Sequence, residues 1–511
     1  MTQVSPPEGT SDPADMNRHF VTSHLEANLG GRSVRGGIVV MVNHALRFVI
    51  QTGGTMILAR ILAPEEFGLV AMVSSITGLI GLLGNLGLSA ATYQRPTITH
   101  VEVTALFWIN VIVSLVLSLL VAMMAPVIAW FYSDLRLINI TLVLSSSFIF
   151  SGLSAQHYAI LVRQMRFGAT AAVQTIPLVV VSLLGVGLAW AGWGYWALVS
   201  MSVASAACTA LAAWTFSSWR PGWPTRQCNV SELVRFGSQL TGYDLLIYLM
   251  RNVDNFLIGR FLGAETLGIY SKAYGLLMLP IQQINAPLNG VILPALSRLS
   301  NQPDRFRNYY LKAVAVLAAI SMPIIVFAFV DADLLILALL GSQWDGAGWI
   351  FRLLTPAALT GTINFAPSWL FTSLGNSARQ LRWAYLSTPI IIIGFCIGMI
   401  WGAPGVAASF SISFGICFWM VAADACRQSP VSFLDFLRAI YPSFGASLIA
   451  AAIVFLYQSF AGRNDFLGFV ADILVFSTVY LMLCGATTSG RTILKAFFSN
   501  IISKPKQLRD A

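Results

Sequence analysis

"RILAPEEFGLV" (residues 60–70) and "RFLGAETLGIY" (260–270) carry Arg, Leu, Glu and Gly at the same four places, two hundred residues apart. Sliding the chain against itself by that offset extends the match. Val34, Arg35 and Gly37 meet Val234, Arg235 and Gly237, Leu46 meets Leu246, and Leu79, Asn85 and Leu88 meet Leu279, Asn285 and Leu288. Eleven identities fall in the 56 positions from 34 to 89 without a gap. Polar residues stay in register as well as Leu, which an apolar alphabet alone does not produce. The chain therefore contains an internal repeat, and the repeat frames the rest of the fold.

The solvent around that repeat follows from composition. The 511 residues are 57% hydrophobic and 10% charged, with a mean hydropathy of +0.74, far from the balance of a soluble domain. Apolar stretches of about 20 residues follow one another almost end to end, each long enough to cross a ~30 Å hydrocarbon core as a helix. Fourteen crossings are predicted: 36–58, 68–93, 104–131, 137–159, 169–190, 194–216, 236–258, 268–293, 312–331, 348–375, 383–400, 404–424, 440–460 and 466–486. The tenth is interrupted by Arg352, Pro356 and Pro367. The ~10-residue alternating segments of a membrane barrel are missing from the sequence. The fold class is thus all-α integral membrane.

Lys and Arg set the orientation. With the N-terminus in the cytosol, twenty-two of the thirty fall in inner segments. Four (Arg60, Arg136, Arg260, Arg463) fall in outer loops, and four (Arg47, Arg251, Lys272, Arg352) within crossings. Both termini are therefore expected in the cytosol. The net charge of +9 reads as a topology signal with some attraction to anionic membrane lipids, not as a nucleic-acid footprint. Six crossings separate the two copies, an even number, so the copies share one orientation and are related by an axis along the membrane normal.

The expected organisation is a polar, disordered cytosolic tail (1–33), a first lobe of six crossings (34–216), and a cytosolic linker (217–235). A second lobe (236–430), two helices outside the repeat (431–490) and a basic cytosolic tail (491–511) follow. No apolar run precedes the first crossing, so no cleavable leader is expected. Six scattered Cys form no C-x-x-C pair, and no metal or cofactor is called for.

Ionisable side chains inside a bilayer are costly, roughly 2.5–3.5 kcal/mol each at the centre, and so should face a cavity or a partner. In the seventh crossing Asp244, Tyr248, Arg251 and Asn255 lie within about 60° of one another at 100° per residue. Asp254 lies one turn from Arg251 and is placed to pair with it. In the first crossing His44, Gln51 and Thr55 occupy the matching stripe, with Arg47 beside them. Lys272, Asn85, Ser89, Asn285, Asn289 and Arg352 extend the set. The four cations outnumber the carboxylates counted with them, which suits an anionic ligand, since Arg forks onto phosphate oxygens. His44, Asp244 and Asp254 are candidates to bind a proton or sodium ion. The bland alternative is that Arg251 with Asp254, or Lys272 with Asp244, only fastens helices together. Gly81, Gly84 and Gly87, and Gly394 with Gly398, read as close helix packing. Trp190, Trp193, Tyr195 and Trp196 read as an interfacial belt.

The fourteen-crossing plan, "LARILAPEEFGLVAM" (58–72) and "RNVDNFLIGRFLGAETLGIYSKAYG" (251–275) resemble the polysaccharide transporter family of the MOP flippase superfamily, over roughly residues 34 to 430. The nearest likeness is to Wzx-type lipopolysaccharide and exopolysaccharide exporters of the Gram-negative inner membrane. That resemblance implies two pseudo-symmetric lobes in a V with two further helices. It implies a substrate of undecaprenyl-pyrophosphate-linked oligosaccharide, moved from the cytosolic to the periplasmic leaflet by alternating access coupled to H⁺ or Na⁺. It also implies work alongside a polysaccharide polymerase and a chain-length regulator. By position, Arg47, Arg251, Lys272 and Arg352 would hold pyrophosphate and acidic sugars, with Tyr248, Asn255 and Gln51 beside them.

Two other classes fit less well. A multidrug antiporter of the related twelve-helix type takes cations, which prefer carboxylates to Arg. A membrane polymerase or ligase usually needs a large outer loop, and every outer connection here is predicted shorter than about 20 residues. No G-x-x-x-x-G-K or H-E-x-x-H is present.

Overall fold

In the computed structural model, the described residues are 29–85, 89, 92–93, 95, 98–223, 231–461 and 466–486; the side chains of 29–38, 85, 231–244, 246, 282, 284–287, 461 and 466 fall outside the description. Every regular element among them is helical. Fifteen helices form in chain order: α1 (Leu29–Ile61), α2 (Pro64–Asn85), α3 (His100–Tyr132), α4 (Arg136–Arg163), α5 (Phe167–Trp190), α6 (Tyr195–Phe216), α7 (Ser231–Leu299), α8 (Pro303–Val330), α9 (Ala332–Leu339), α10 (Ala347–Ile363), α11 (Phe365–Ser373), α12 (Ser377–Gly398), α13 (Gly402–Arg427), α14 (Phe433–Ala461) and α15 (Phe466–Ala486).

Among the described residues each of the fourteen predicted crossings falls on one or two of these helices; the end of the second, beyond Asn85, lies mostly outside the description. Crossings seven and eight are joined in α7, which runs through the predicted loop 259–267 and breaks only at Gly263, where φ is 86° and ψ 178°. Crossing ten is divided at Asn364 into α10 and α11. Several helices outrun the hydrocarbon core: the 33 residues of α3 reach roughly 50 Å at 1.5 Å per residue.

Local chemistry sets the helix ends. Thr99 opens α3 with a capping box: its hydroxyl accepts from the Glu102 N–H at 3.3 Å, and Glu102 accepts from the Thr99 N–H at 2.8 Å. Pro64 and Pro303 take first-turn positions, where a missing N–H costs nothing. Pro126, Pro177, Pro323, Pro356, Pro389 and Pro442 lie inside helices. Membrane helices tolerate this because neighbours and hydroxyls satisfy the freed carbonyls.

The contacts divide the chain into Met1–Asn252 and Val253–Ala511. In the first unit α4 packs on both α3 and α6, and α5 on α1 and α6. In the second, α8 packs on α10 and α14, α12 on α13, and α15 closes on α14. Phe306, Tyr310, Trp369, Phe371, Phe418 and Phe436 belong to one buried apolar cluster of that unit. Gly394 and Gly398 let α12 meet α13, since a Cβ at Gly398 would meet the Gly405 carbonyl at 2.5 Å. A Cβ at Gly84 would press on Leu117 at 3.2 Å, whereas one at Gly81 would meet Phe148 at an ordinary 3.5 Å, so close packing is seen at Gly84, Gly394 and Gly398 but is not required at Gly81; Gly87 lies outside the described residues. Trp190 and Trp193 are exposed at the end of α5, as a belt residue should be.

Candidate functional site

The first unit contributes Arg47, His44, Gln51 and Tyr248. Arg47 turns toward α5: its Nη1 donates to Gln174 Oε1 at 2.7 Å, and its buried Nε has no hydrogen-bond partner. Gln174 in turn donates to the Tyr158 hydroxyl, and Thr175 donates to Asn43. The polar stripe of α1 is therefore partly spent on joining α1 to α5. His44 and Gln51 stay exposed.

Tyr248 leaves the stripe in a different way. Its hydroxyl donates to the Ser75 carbonyl on α2 at 2.9 Å, and its ring lies where a Cβ on Gly78 would stand. It fixes α7 to α2. Arg251, one turn on, is exposed, and no described residue pairs with it. The side chain of Asp244 lies outside the described residues.

In the second unit Asp254 is 3% exposed. The Tyr270 hydroxyl donates to its Oδ2 at 2.8 Å, and the backbone N–H of Asn255 donates to Oδ1 at 2.8 Å. The expected partnership with Arg251 is thus replaced by a neutral donor from the far side of the Gly263 break. Asn255 and Lys272 are half-buried on the same helix. Arg352 binds Asp333 at 2.9 Å, so its charge is paired at a partly exposed site. Asn289 accepts from Trp369 Nε1 at 2.8 Å, while Asn85 and Asn285 carry undescribed side chains.

The sequence count of carboxylates also needs correcting. Asp331 and Asp472 are buried as deeply as Asp254, at 2% and 1% exposure. Both stand in predicted crossings outside the polar stripe of the repeat, where the periodicity that groups the cations does not reach. The rule that an intramembrane acid marks a site would have found them.

Basic residues assigned to the inner side close helix ends. Arg163 donates to the carbonyls of Thr92 and Arg95 at 3.0 and 2.6 Å, Arg166 to Phe216 O at 3.1 Å, and Arg220 to Ser217 O at 2.7 Å while lying over the Trp214 ring. At the other end of the first unit Arg136 binds Glu65 and Asp134, both at 2.7 Å. Its hydrogen bonds hold the Asp134 carboxyl, in the turn between α3 and α4, below the usual carboxylate range.

Known proteins resemble this chain along most of its length. A family model described as polysaccharide biosynthesis protein matches residues 57–348, more than half of the chain. The lipopolysaccharide biosynthesis protein WzxC of Escherichia coli (strain K12) is 24% identical over 364 residues, spanning 69% of this chain and 73% of that protein. The succinoglycan biosynthesis transport protein ExoT of Rhizobium meliloti is 24% identical over 442 residues, 84% of this chain and 87% of the relative. Among solved structures, the lipid II flippase MurJ in an inward closed conformation superposes with a TM-score of 0.72 over 92% of this chain and 100% of its own, at 15% identity. An inward-facing multidrug resistance MATE transporter of the MOP superfamily gives 0.60, covering 75% of this chain and 95% of that one, also at 15% identity. Both structural likenesses speak to fold.

Proposed function

The chain belongs to the polysaccharide biosynthesis protein family, and from that premise we propose that it is a flippase, not an enzyme, which carries an undecaprenyl-pyrophosphate-linked oligosaccharide from the cytosolic to the periplasmic leaflet of a bacterial inner membrane. The named relatives in lipopolysaccharide biosynthesis and succinoglycan transport support the substrate class. The excess of Lys and Arg in alternate loops supports cytosolic termini. Residues 34–216 and 236–430 serve as the two lobes, 217–235 as their cytosolic linker, and 431–490 as an added helix pair.

The observation that carries the reading is Arg251, an exposed guanidinium within a membrane-spanning helix and without a partner among the described residues. A charge held there needs water or an anion, and a pyrophosphate supplies oxygens for two parallel bonds. Arg47 and Lys272 add positive charge from α1 and α7, and Gln51, Tyr248 and Asn255 supply polar contacts. Arg352 takes part only by exchanging Asp333 for substrate. Asp254, Asp244 and His44 are the candidates for coupling transport to H⁺ or Na⁺. A polymerase and a chain-length regulator are the expected partners downstream.

Arg251→Ala should lower transport of a labelled lipid-linked glycan in proteoliposomes by roughly ten- to hundred-fold, the 1.5–3 kcal/mol typical of a hydrogen bond to a charged group, with normal membrane insertion. Wild-type transport by that variant removes the argument. The multidrug antiporter reading is separated by Arg251→Glu, which it expects to preserve or raise efflux of cationic dyes and which a flippase of anionic lipid expects to abolish.

A further inference from the structure

Arg47, halfway along the predicted first crossing, is fastened without being neutralised. Its Nη1 donates to Gln174 Oε1 on α5 at 2.7 Å. Among the described residues no ion pair involves it, and its Nε is buried without an acceptor. The acceptor is itself held. Gln174 Nε2 donates to the Tyr158 hydroxyl on α4, which turns the amide so that its oxygen, not its NH₂ group, faces the guanidinium. One residue on, Thr175 donates to Asn43 Oδ1, one turn before Arg47 on α1. Helices α1 and α5 are thus bonded at two neighbouring rungs, and both acceptors are uncharged.

The choice of an amide has a chemical consequence. A guanidinium carries five N–H donors and no acceptor, so one bond to a neutral oxygen leaves most of its donors and all of its charge. A carboxylate at position 174, almost the same shape as Gln, would pair with that guanidinium in a low-dielectric span and repel an incoming anion. A residue whose work was only to join α1 to α5 would do so at least as well as Glu, because hydrogen bonds between opposite charges are the stronger kind. Gln fixes the place of Arg47 and keeps its charge. The guanidinium is half-buried, and a cation so placed in a span calls for water or an anionic ligand.

We propose that Gln174 is a positioning residue for anion binding: it holds the Arg47 guanidinium in place by a neutral hydrogen bond, oriented by Tyr158, and leaves its charge to a phosphate group. The inference rests on the assignment of Arg47 to the pyrophosphate of the substrate. Gln174 touches no substrate itself and acts through Arg47. It belongs to neither polar stripe of the repeat, and spacing along α1 does not point to it.

The test is calorimetric titration of the purified full chain with inorganic pyrophosphate, alongside the thermal midpoint. Arg47→Gln and Gln174→Glu should each raise the Kd for pyrophosphate by about ten-fold or more. Gln174→Glu should do so with its midpoint held or raised, since the tether survives as an ion pair; a merely structural Gln174 predicts the same midpoint and an unchanged Kd. Gln174→Leu keeps the charge and loses the tether, and should raise the Kd by about three-fold. Gln174→Asn, one methylene too short to reach, should match it and serves where the Leu variant folds poorly. Wild-type affinity in the Leu and Asn variants overturns the proposal, as does wild-type protein that binds no pyrophosphate. Transport of a labelled lipid-linked glycan is read separately. Affinities in the expected order from a chain that moves no glycan uphold the role of Gln174 and sink the flippase, whereas unchanged affinities beside normal transport sink the role of Gln174 alone.

Discussion

The two copies of the repeat break their helices at the same register by different means. In the first, Leu62 and Ala63 leave the helix, Pro64 restarts it, and Glu66 accepts from the Ala63 N–H at 2.8 Å. In the second, a single glycine, Gly263, takes φ 86° and the helix resumes. Burial on either side is parallel: Glu65 and Glu265 are exposed, while Phe67 with Gly68 and Leu267 with Gly268 are buried. What fastens the turns differs. Arg136 ties the first to the α3–α4 turn through Glu65 and Asp134, and Gly194 packs against Glu66. The position two hundred residues beyond Arg136 is Ile336, and the second turn borders an apolar hollow of about 360 Å³ lined by Leu262, Thr266, Ile269, Trp349, Ile350 and Pro404 among others. The repeat has kept the site of the break and changed its fastening.

The sharpest way to break that comparison is at the two equivalent turn residues. Gly263 occupies a backbone region nearly closed to other residues, and nothing lies within 4 Å of a Cβ built there, so Gly263→Ala isolates the backbone cost. It should destabilise the second unit by about 1–3 kcal/mol, seen as a lower thermal midpoint in detergent. Ala63→Gly, in a turn that needs no positive φ, should cost less than about 1 kcal/mol. Equal losses at both positions would mean that the two turns are not distinct solutions.

A smaller effect tests the charged fastening. Arg136→Ala removes the hub of a pair whose side chains are 44% and 49% exposed at Arg136 and Glu65, so about 1 kcal/mol or less is expected. Its pH dependence is more telling than its size. Asp134 is held below the usual carboxylate range by Arg136, so its contribution is present above that range and fades as pH falls through the lowered value. The wild type should lose stability along that acid limb, and Arg136→Ala should flatten it.

Apolar windows made the crossings legible, and the alternation of Lys and Arg made their expected direction legible, because both are bulk properties that survive small errors in boundary. The sequence predicts a connection over 259–267 where the helix breaks only at Gly263, since a polar stretch between apolar runs looks like a connection even when it stays helical. Arg352, Pro356 and Pro367 predict an interruption of crossing ten, yet the division falls at Asn364, which carries no strong signal. The polar residues were harder. Spacing along one helix puts Arg251 beside Asp254, but the donor that reaches Asp254 is Tyr270, sixteen residues on. Likewise Arg47 meets Gln174 and Asp331 meets Gln458 across more than a hundred residues. A periodicity argument reports which face a side chain occupies and is silent on which helix lies opposite.

The least expected change gives the finest test, because it asks whether the same residue type at the same repeat position does the same work. Glu65 and Glu265 are both exposed and both first-turn acids after their breaks, where a helix N-terminus favours negative charge by about 0.3–1 kcal/mol at low salt. That term is common to both and is screened alike. Only Glu65 adds an ion pair, at 2.7 Å to Arg136; among the described residues no ion pair involves Glu265. Glu65→Gln should therefore cost a few tenths of a kcal/mol more than Glu265→Gln, and the difference should vanish in the Arg136→Ala background. Salt should shrink it too, since exposed charges lie within a Debye length of bulk ions. A difference that persists without Arg136 would place the asymmetry in the helix ends and not in the fastening.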